Sequence, residues 1–497
     1  MRIPVLYGTG IDRDFSTEMK YIVHRLGSPG QKWDGMVDSS IINPAREERL
    51  SEFLGQEYIS LDPGTILSHS MGKSSPEILM AKHGEIGNTV RAVVFPDPKN
   101  IDNIVEAIRR SGLSIIPYGG GTSVNGSLKP IESSGTVSMD MSRFNWVEIK
   151  RGYALVGAGV RGIELESKLW KAGLTCGNFP ESFQYSTVGG WVATGETGQE
   201  SNQYGGIENI VLGVKLRTGD SWIADHEIPR ESVGMTAKSL ALGMAGRTGI
   251  ITDVYLRTFP IPSGRRYQSF FFHSFLEGIE TLKDIDVFPT VGRLSDTTET
   301  EFAMNSPEQS LPVKLFKRYL LARGLSEGSM FIVINNGNKW DVPLRNAISS
   351  GPAPARSWER DRYMRPGLAR ELWKEGFIPD TLETSATWER LPGLYTDAVN
   401  AFYRMKDTLG FRGEIMAHLS HLYSSGACIY FTFILAAEFS NEVETLARVR
   451  DTLMKAFLRN GGSVTHHHGI GSLFTQYLDE SRMRLIRKLR DPLMEDI

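Results

Sequence analysis

The sequence is poor in several features that would define a simple class of protein. It has only two cysteines, Cys176 and Cys428, in 497 residues, so a disulfide framework is excluded and a reducing compartment is expected. Its 55 basic and 58 acidic residues leave a formal net charge of only −3. A protein that binds nucleic acid through its phosphates needs a basic excess, so we expect no nucleic-acid partner. The chain also lacks internal repeats and low-complexity tracts.

Long hydrophobic runs are missing too. The most apolar run, residues 427–437, is about half of what a bilayer crossing requires, and we interpret it as a buried strand. The opening residues MRIPVLYGTG lack the charged and apolar regions of a signal peptide, so we expect a cytoplasmic protein. A chain of this length exceeds one ordinary core, which predicts several domains.

Glycine and proline divide the chain into three parts. Residues 1–84 mix an amphipathic pattern with irregular stretches and are predicted as an N-terminal extension. Residues 85–262 contain a strand followed by a helix over 101–108 that ends at Gly112, and then short strands separated by turns. Residues 263–497 are predicted as a mixed α+β unit, with an amphipathic helix over 441–457.

A glycine-rich loop, Pro117-Tyr-Gly-Gly-Gly-Thr-Ser-Val-Asn-Gly126, follows an apolar run. It is not an ATP-binding P-loop, because no Gly-Lys-Ser/Thr sequence ends it, and it is not a Rossmann fingerprint, because Val124 stands where glycine is required. Its backbone amides and the hydroxyls of Thr122 and Ser123 suit a diphosphate. A tight turn between two strands remains the alternative interpretation of this segment alone.

Three more segments of small residues favour the ligand-binding interpretation. They are Glu181-Ser-Phe-Gln-Tyr-Ser-Thr-Val-Gly-Gly190, Thr194-Gly-Glu-Thr-Gly198 and Gly243-Met-Ala-Gly-Arg-Thr-Gly-Ile-Ile-Thr252. Glycine and hydroxyl side chains let a flat ligand approach the backbone closely.

Together these motifs resemble the FAD-binding domain of the p-cresol methylhydroxylase and vanillyl-alcohol oxidase superfamily, and within it the alkyldihydroxyacetonephosphate synthase family. The resemblance covers most of the chain. It implies an α+β fold in which a two-subdomain FAD-binding domain (residues 85–262) carries a ferredoxin-like cap. It also implies noncovalent FAD, because no histidine or cysteine lies in the loop to bind it covalently. The implied FAD-binding residues are Pro117, Tyr118, Gly119, Gly120, Gly121, Thr122, Ser123, Glu181, Ser182, Ser186, Thr187, Thr194, Thr197, Gly243, Gly246, Gly249 and Ile250.

The most distinctive short run is Thr465-His-His-His-Gly469. Five of the ten histidines are His466, His467, His468, His418 and His421. A zinc site would need a third ligand near the run and none is at metal-ligand spacing, so we predict no metal. Stabilising an anion or moving protons suits the cluster better. The resemblance likewise implies that this run lies at the active site.

The resemblance assigns two further catalytic residues. Tyr423, in Ser420-His-Leu-Tyr423, corresponds to a tyrosine that donates and accepts protons over the flavin, and neighbouring imidazoles predict a lowered pKa for it. Without the resemblance, a core tyrosine with one hydrogen bond would be the simpler interpretation. Arg293 corresponds to an arginine that orients an anionic substrate, with a surface salt bridge as the alternative.

Three features depart from the family pattern: one is the 243–249 stretch Gly-Met-Ala-Gly-Arg-Thr-Gly, and the other two lie at basic positions. Ala369 stands where a substrate-binding arginine is expected, so Arg370, with Arg365 as the alternative, is predicted to replace it, and His421 is predicted to contact substrate. Ser472 stands where a basic residue often follows the histidine run. Both departures at basic positions weaken the expectation of a phosphorylated substrate.

The leading prediction is an enzyme that exchanges the acyl group of acyl-dihydroxyacetone phosphate for a fatty alcohol through an adduct at flavin N5, without net redox. The alternative is a FAD-dependent dehydrogenase or oxidase of a small 2-hydroxy acid such as D-lactate or glycolate. A noncatalytic flavoprotein subunit is a third class. We expect a small-molecule or lipid-like substrate and a homodimer. Peripheral association with a membrane is compatible with these expectations.

Overall fold

The computed structural model describes residues 1–6, 13–29, 31–42, 48–130, 135–304, 318–320 and 328–495. Its α-helices are Ser16–Leu26, Glu48–Phe53, Pro63–His69, Ser75–Lys82, Ile101–Ser111, Gly162–Lys171, Val188–Thr194, Ser201–Tyr204, Ile207–Ile210, Ala237–Ala241, Phe275–Lys283, Thr297–Met304, Ala353–Asp361, Arg365–Lys374, Leu391–Leu409, Glu442–Arg459 and Glu480–Leu489. Among the described residues, none of the helices is both long and apolar enough to cross a membrane.

The FAD-binding region contains two sheets, as the predicted two subdomains require. The first has the strand order Ile59–Ser60, Ala92–Val94, Thr136–Asp140, Ser114–Tyr118, and its last three strands are parallel. The second is antiparallel, in the order Trp222–Ala224, Val211–Arg217, Ile250–Arg257, Tyr153–Gly157, Val147–Ile149. Leu174–Thr175 and Phe259–Pro260 form a separate short pair.

The helix between two parallel strands follows its sequence signal. Its apolar residues at 101, 104, 105 and 108 are buried, and Gly112 ends it in the left-handed conformation at φ +69°. Glycine is favoured there because it has no Cβ to clash. The prediction for this helix is therefore confirmed.

The cap is a seven-stranded antiparallel sheet. Its strand order is Ile348–Ser349, Arg265–Phe272, Ser329–Asn336, Val291–Ser295, Arg412–Tyr423, Gly426–Ala436, Ile378–Thr387. The apolar run over 427–437 is the buried strand that the sequence predicts, because Gly426–Ala436 pairs on both edges. The predicted helix over 441–457 is also confirmed, as Glu442–Arg459.

The first and the last described residues do not pack as the predicted three-part division implies. Residues Ile3, Val5 and Val37 belong to the same hydrophobic core as the cap, and Arg2–Pro4 pairs with Met36–Asp38. At the other end, Leu493 and Met494 pack in the core of the four-stranded sheet. The extension thus supports the cap, and the last described residues return to the FAD-binding region.

Candidate active site

The glycine-rich loop begins where Ser114–Tyr118 ends. A Cβ on Gly119 would collide with the hydroxyl of Thr187, and a Cβ on Gly120 would collide with the carbonyl oxygen of Tyr185. Gly121 has φ +65° and is covered by the Tyr118 ring. The contact at Gly120 requires glycine, because the loop lies there directly on the backbone of Tyr185 and Ser186.

Two cavities border this loop. A slot of about 50 Å³ is lined by small residues from the loop and from the 187–193 and 245–251 segments. A second cavity of about 1280 Å³ lies between the loop and the cap and includes Thr122 and Val124 in its wall. An extended dinucleotide such as FAD, placed along the loop, would therefore reach from the slot into the large cavity. The residues present fit the predicted cofactor.

The predicted FAD-binding residues divide into three groups. Those in the wall of the slot are Pro117, Tyr118, Gly119, Thr187, Gly246 and Gly249. Those in the wall of the large cavity are Thr122, Glu181, Ser182 and Thr197. The remainder line neither cavity: Gly120, Gly121, Ser123, Ser186, Thr194, Gly243 and Ile250. Of these, Ile250 is completely buried in the core of the four-stranded sheet.

The histidine run is attached directly to the glycine-rich loop. The Asn125 side chain donates its amide hydrogen to the carbonyl of His468 at 2.7 Å, and the backbone N–H of Leu473 donates to the Asn125 carbonyl at 3.1 Å. The Ser472 hydroxyl donates to the carbonyl of Gly126 at 3.0 Å. The fold therefore brings together two motifs that lie more than three hundred residues apart in the chain.

A buried carboxylate fixes the backbone of the run. Glu383 accepts hydrogen bonds from the backbone N–H groups of His466, His467 and His468 at 2.6, 3.1 and 3.2 Å. It also accepts one from the Thr465 hydroxyl at 2.6 Å. Burial raises the pKa of Glu383, but nearby His468, at 3.4 Å, and these hydrogen-bond donors outweigh burial and hold the pKa below its usual value. Glu383 is not among the site residues that the sequence predicts.

The three histidines meet two tyrosines. Tyr423 bonds to Nε2 of His466 at 2.7 Å, and the Nδ1 atoms of His466 and His467 lie 2.7 Å apart. Nε2 of His467 contacts the hydroxyl of Tyr430, which also lies 3.5 Å from Nε2 of His468. His467, His468 and Tyr430 line the large cavity, whereas Tyr423 does not.

The expected lowering of the Tyr423 pKa is wrong. Burial, followed by the neighbouring Cys428, raises its pKa. The imidazoles cannot lower it, because burial also lowers the pKa values of His466 and His467 and favours their neutral forms. A neutral imidazole does not stabilise a phenolate by charge.

An irregularity in the cap sheet exposes two more side chains to the cavity. The register between Arg412–Tyr423 and Gly426–Ala436 shifts between Ser420 and Leu422, and His421 adopts φ +50°. Such a bulge redirects side chains. His421 lines the cavity with Nδ1 2.7 Å from the Ser201 hydroxyl. The Ser420 hydroxyl also faces the cavity wall and is buried without a protein partner.

Arg293 lies in the same cavity rather than on the surface. It donates to Glu299 at 2.6 Å and to Nδ1 of His418 at 3.0 Å, and burial lowers its pKa to about 10. His418 stacks on Tyr430 with ring centroids 5.0 Å apart, and burial with Arg293 lowers its pKa to about 3. Because Nδ1 of His418 accepts from the guanidinium, His418 is neutral.

The structure distinguishes the two arginines considered as replacements at Ala369. Arg370 lines the cavity but pairs with its neighbour Glu371 at 2.9 Å, and its side chain is only 12% exposed. Arg365 is 40% exposed and shares Glu299 with Arg293, at 3.2 Å, with Glu181 more distant at 3.8 Å. Arg293 and Arg365 therefore place two positive charges beside one close carboxylate.

Glu383, Cys428, His466 and His467 place four potential metal ligands within 4.8 Å of one another. The Glu383 oxygens accept from backbone and hydroxyl donors, and the two imidazoles use their nitrogens to bond each other and the tyrosines. Burial raises the pKa of the Cys428 thiol, which disfavours the thiolate that metals bind. The prediction of no metal stays a prediction.

Part of the remaining wall of the large cavity is apolar. It includes Phe15 from the N-terminal extension and Leu368, Trp373, Met416 and Ile434 from the cap. This wall provides a nonpolar environment for a hydrocarbon chain.

Comparisons with known proteins support the cofactor and the fold. Residues 90–224 match the FAD binding domain family, and residues 347–492 match the C-terminal domain of FAD linked oxidases. The alkyldihydroxyacetonephosphate synthase of Dictyostelium discoideum is 27% identical, with 90% of this chain and 79% of that protein covered. The enzyme of the same name from Trypanosoma brucei brucei is 28% identical, with 85% and 74% covered.

Solved structures of known proteins share this fold. An alkyldihydroxyacetonephosphate synthase structure superposes with a TM-score of 0.81 at 24% identity, covering 97% of this chain and 91% of that one. p-Cresol methylhydroxylase superposes with a TM-score of 0.63 at 13% identity, covering 92% and 96%. The predicted fold class, the resemblance and FAD as the cofactor are confirmed.

Proposed function

We propose, on the premise that this chain is an FAD-dependent enzyme similar over most of its length to alkyldihydroxyacetonephosphate synthases, that it exchanges the acyl group of acyl-dihydroxyacetone phosphate for a fatty alcohol. One observation carries the proposal. A large, partly apolar cavity meets the glycine-rich loop at a cluster that contains a buried phenol, neutral imidazoles and two arginines. This combination suits a substrate with a long chain at one end and an anion at the other.

When bound, FAD supplies the ring at which the exchange takes place. The residues of this chain bind, orient and transfer protons. Arg293 and Arg365 hold the phosphate, because in the described part of the chain their two charges share one close carboxylate, that of Glu299, with Glu181 more distant at 3.8 Å from Arg365. The apolar wall accommodates the acyl chain and then the alkyl chain, and it excludes water that would otherwise compete with the alcohol.

Tyr430 is the group best placed to handle protons inside the cavity. Its hydroxyl contacts His467, its ring stacks on neutral His418, and burial raises its pKa so that it stays a phenol at neutral pH. It can accept the hydroxyl proton of the alcohol while it passes its own proton to His467. The other product is the fatty acid, so atoms balance without net oxidation.

The direct test uses purified holoprotein, acyl-dihydroxyacetone phosphate and a long-chain alcohol. We expect the ether product and one equivalent of fatty acid by mass spectrometry, with the flavin still oxidised at the end. Anaerobic addition of D-lactate is the counter-test. Loss of the flavin colour with D-lactate and no ether product would reject the exchange reaction in favour of 2-hydroxy-acid oxidation.

The assembly and location of the protein complete the proposal. We propose a cytoplasmic homodimer that takes up its lipid-like substrate at a membrane surface. In support, Ile228, Val233 and Met235 expose apolar side chains together on one loop. Light scattering should give twice the mass of one chain, and flotation with phosphatidylcholine vesicles should recover bound protein.

A further inference from the structure

Four side chains form a continuous hydrogen-bonded chain from the surface to the cavity. Tyr423 bonds to Nε2 of His466, Nδ1 of His466 faces Nδ1 of His467, and Nε2 of His467 bonds to Tyr430. The first two contacts are each 2.7 Å. We call these four residues the phenol–imidazole chain.

The two ends of this chain face different environments. Tyr423 lies next to the turn of the 412–436 hairpin and is 40% exposed, and it is absent from the wall of the large cavity. Tyr430 is in that wall, together with His468 and Thr122. The phenol–imidazole chain therefore connects the cavity to the surface of the protein.

The three links need one proton each, and the four neutral groups carry four, so one proton is left to donate at an end of the chain. In one arrangement Tyr430 donates to His467, His467 to His466, His466 to Tyr423, and Tyr423 to water. In the other arrangement all three links point inward, from Tyr423 to His466 to His467 to Tyr430, and Tyr430 donates into the cavity. Both imidazoles are neutral in each arrangement, which agrees with the lowering of their pKa values by burial.

Neighbouring residues hold the members of the phenol–imidazole chain in position. Glu383 fixes the backbone of His466 and His467. The His421 ring stacks on His466, with centroids 5.2 Å apart, and meets His467 edge to face at 5.1 Å. A hydrogen-bonded network held in this way orders its members more strongly than separate pairs would.

We propose that the phenol–imidazole chain carries protons between the cavity and water, with Tyr423 as its outer end. This inference rests on the proposed exchange reaction. When the alcohol oxygen bonds to the substrate carbon, its proton passes to Tyr430, one proton moves along each link, and Tyr423 releases one proton to water. The reverse shift occurs when the departing acyl group takes a proton from Tyr430 and leaves as the fatty acid. Each full turnover restores the first arrangement.

The test is the substitution Tyr423→Phe, which removes the outer hydroxyl and keeps the ring. We expect kcat to fall by roughly 10- to 100-fold, with an unchanged KM, flavin spectrum and melting temperature. Imidazole added as buffer should restore kcat in proportion to its concentration, because it delivers and removes protons at His466. Tyr477→Phe is the matched control, since it removes a hydroxyl bonded to Asp451 at 3.2 Å outside the site, and it should show neither effect.

Wild-type kcat in the Tyr423→Phe variant would overturn the proposal, and so would a reduced kcat that imidazole does not restore. Nitrogen-15 spectra of histidine-labelled holoprotein give a readout that does not depend on the reaction. They should show His466 and His467 as neutral single tautomers, and Tyr423→Phe should shift Nε2 of His466. Charged imidazoles, or an unchanged His466 Nε2 signal in Tyr423→Phe, would overturn the proposed proton transfer along the phenol–imidazole chain even if the exchange reaction is observed. A protein that shows these signals but forms no ether product would instead reject the proposed function alone.

Discussion

The glycine-rich loop and the histidine run are neighbours in space but are built in opposite ways. Residues 117–121 use backbone and close packing, and their essential contacts are ones that a single Cβ would destroy. The histidine run uses titratable side chains, and burial favours the neutral forms of His466 and His467. The proposed cofactor-binding loop depends on shape, which should be insensitive to pH, whereas the proposed proton transfer depends on buried groups with shifted pKa values.

The largest loss of activity is expected from a substitution that adds a side chain to the glycine-rich loop. In Gly120→Ala the new methyl group would collide with the Tyr185 carbonyl, which is backbone and cannot turn away. We expect the purified protein to lack the visible absorbance of FAD and all activity. Gly264→Ala is the control, because a Cβ there meets no atom within 4 Å. A yellow, active Gly120→Ala protein would show that the loop is not held this closely.

The second prediction concerns the cap side. Tyr430→Phe removes the hydroxyl that faces the cavity but leaves the loop and the slot untouched. We expect FAD content to be normal and kcat to fall by about 10²- to 10⁴-fold, the usual contribution of a proton-transferring group. If the variant instead lost FAD in parallel with activity, the separation between cofactor binding and chemistry would not hold.

The third prediction tests how the cavity holds an anion. Arg365→Gln should raise the KM for acyl-dihydroxyacetone phosphate by about 10- to 100-fold, because a charged hydrogen bond contributes roughly 1.5–3 kcal/mol. The KM for the same molecule without its phosphate should change little. Arg370→Gln should have a smaller effect, since Arg370 already pairs with Glu371. Equal losses for both substrates in Arg365→Gln would indicate a structural role.

The smallest effect is expected from a carboxyl group on the FAD-binding side of the cavity. Burial raises the pKa of Glu196 from 4.5 to about 8. Its protonated form is therefore favoured in the folded protein, and this contribution is complete below the unfolded pKa and lost as the pH rises through 8. Glu196→Gln should melt like the wild type near pH 4 and at a higher temperature near pH 9, by about 2–4 °C. A melting curve independent of pH in both proteins would contradict the raised pKa.

Short sequence patterns correctly predicted the helices and strands whose formation depends on residues close to each other in the chain. The helix over 101–108 has its apolar residues at helical spacing and glycine at its end, and the 427–437 run is apolar throughout. The loop and the slot are built largely from glycine and other small residues, which can be recognised in the sequence without knowing what they contact. The histidine run was found for the same reason, because three consecutive histidines are conspicuous in any sequence.

The choice between two tyrosines could not be made in this way. Tyr423 and Tyr430 lie on the two strands of one hairpin, and pairing back from Tyr423 and Gly426 without interruption would place residue 419 opposite Tyr430. The bulge at His421 inserts one residue, so His418 pairs with Tyr430 instead. His418 consequently stacks on Tyr430 within the cavity, while Tyr423 remains near the turn. A one-residue shift of register of this kind leaves no reliable signal in the sequence.

The sequence by itself determined FAD as the cofactor, through its glycine-rich segments, and showed that its histidines are concentrated in the second half. Those properties reside in short segments, where residue type and spacing are sufficient. Only the tertiary structure decided that Glu383 orients the run, that Arg365 shares a carboxylate with Arg293, and that Tyr430 faces the cavity. Each of those contacts joins residues distant in the chain, and their pKa values depend on burial that the folded protein alone creates.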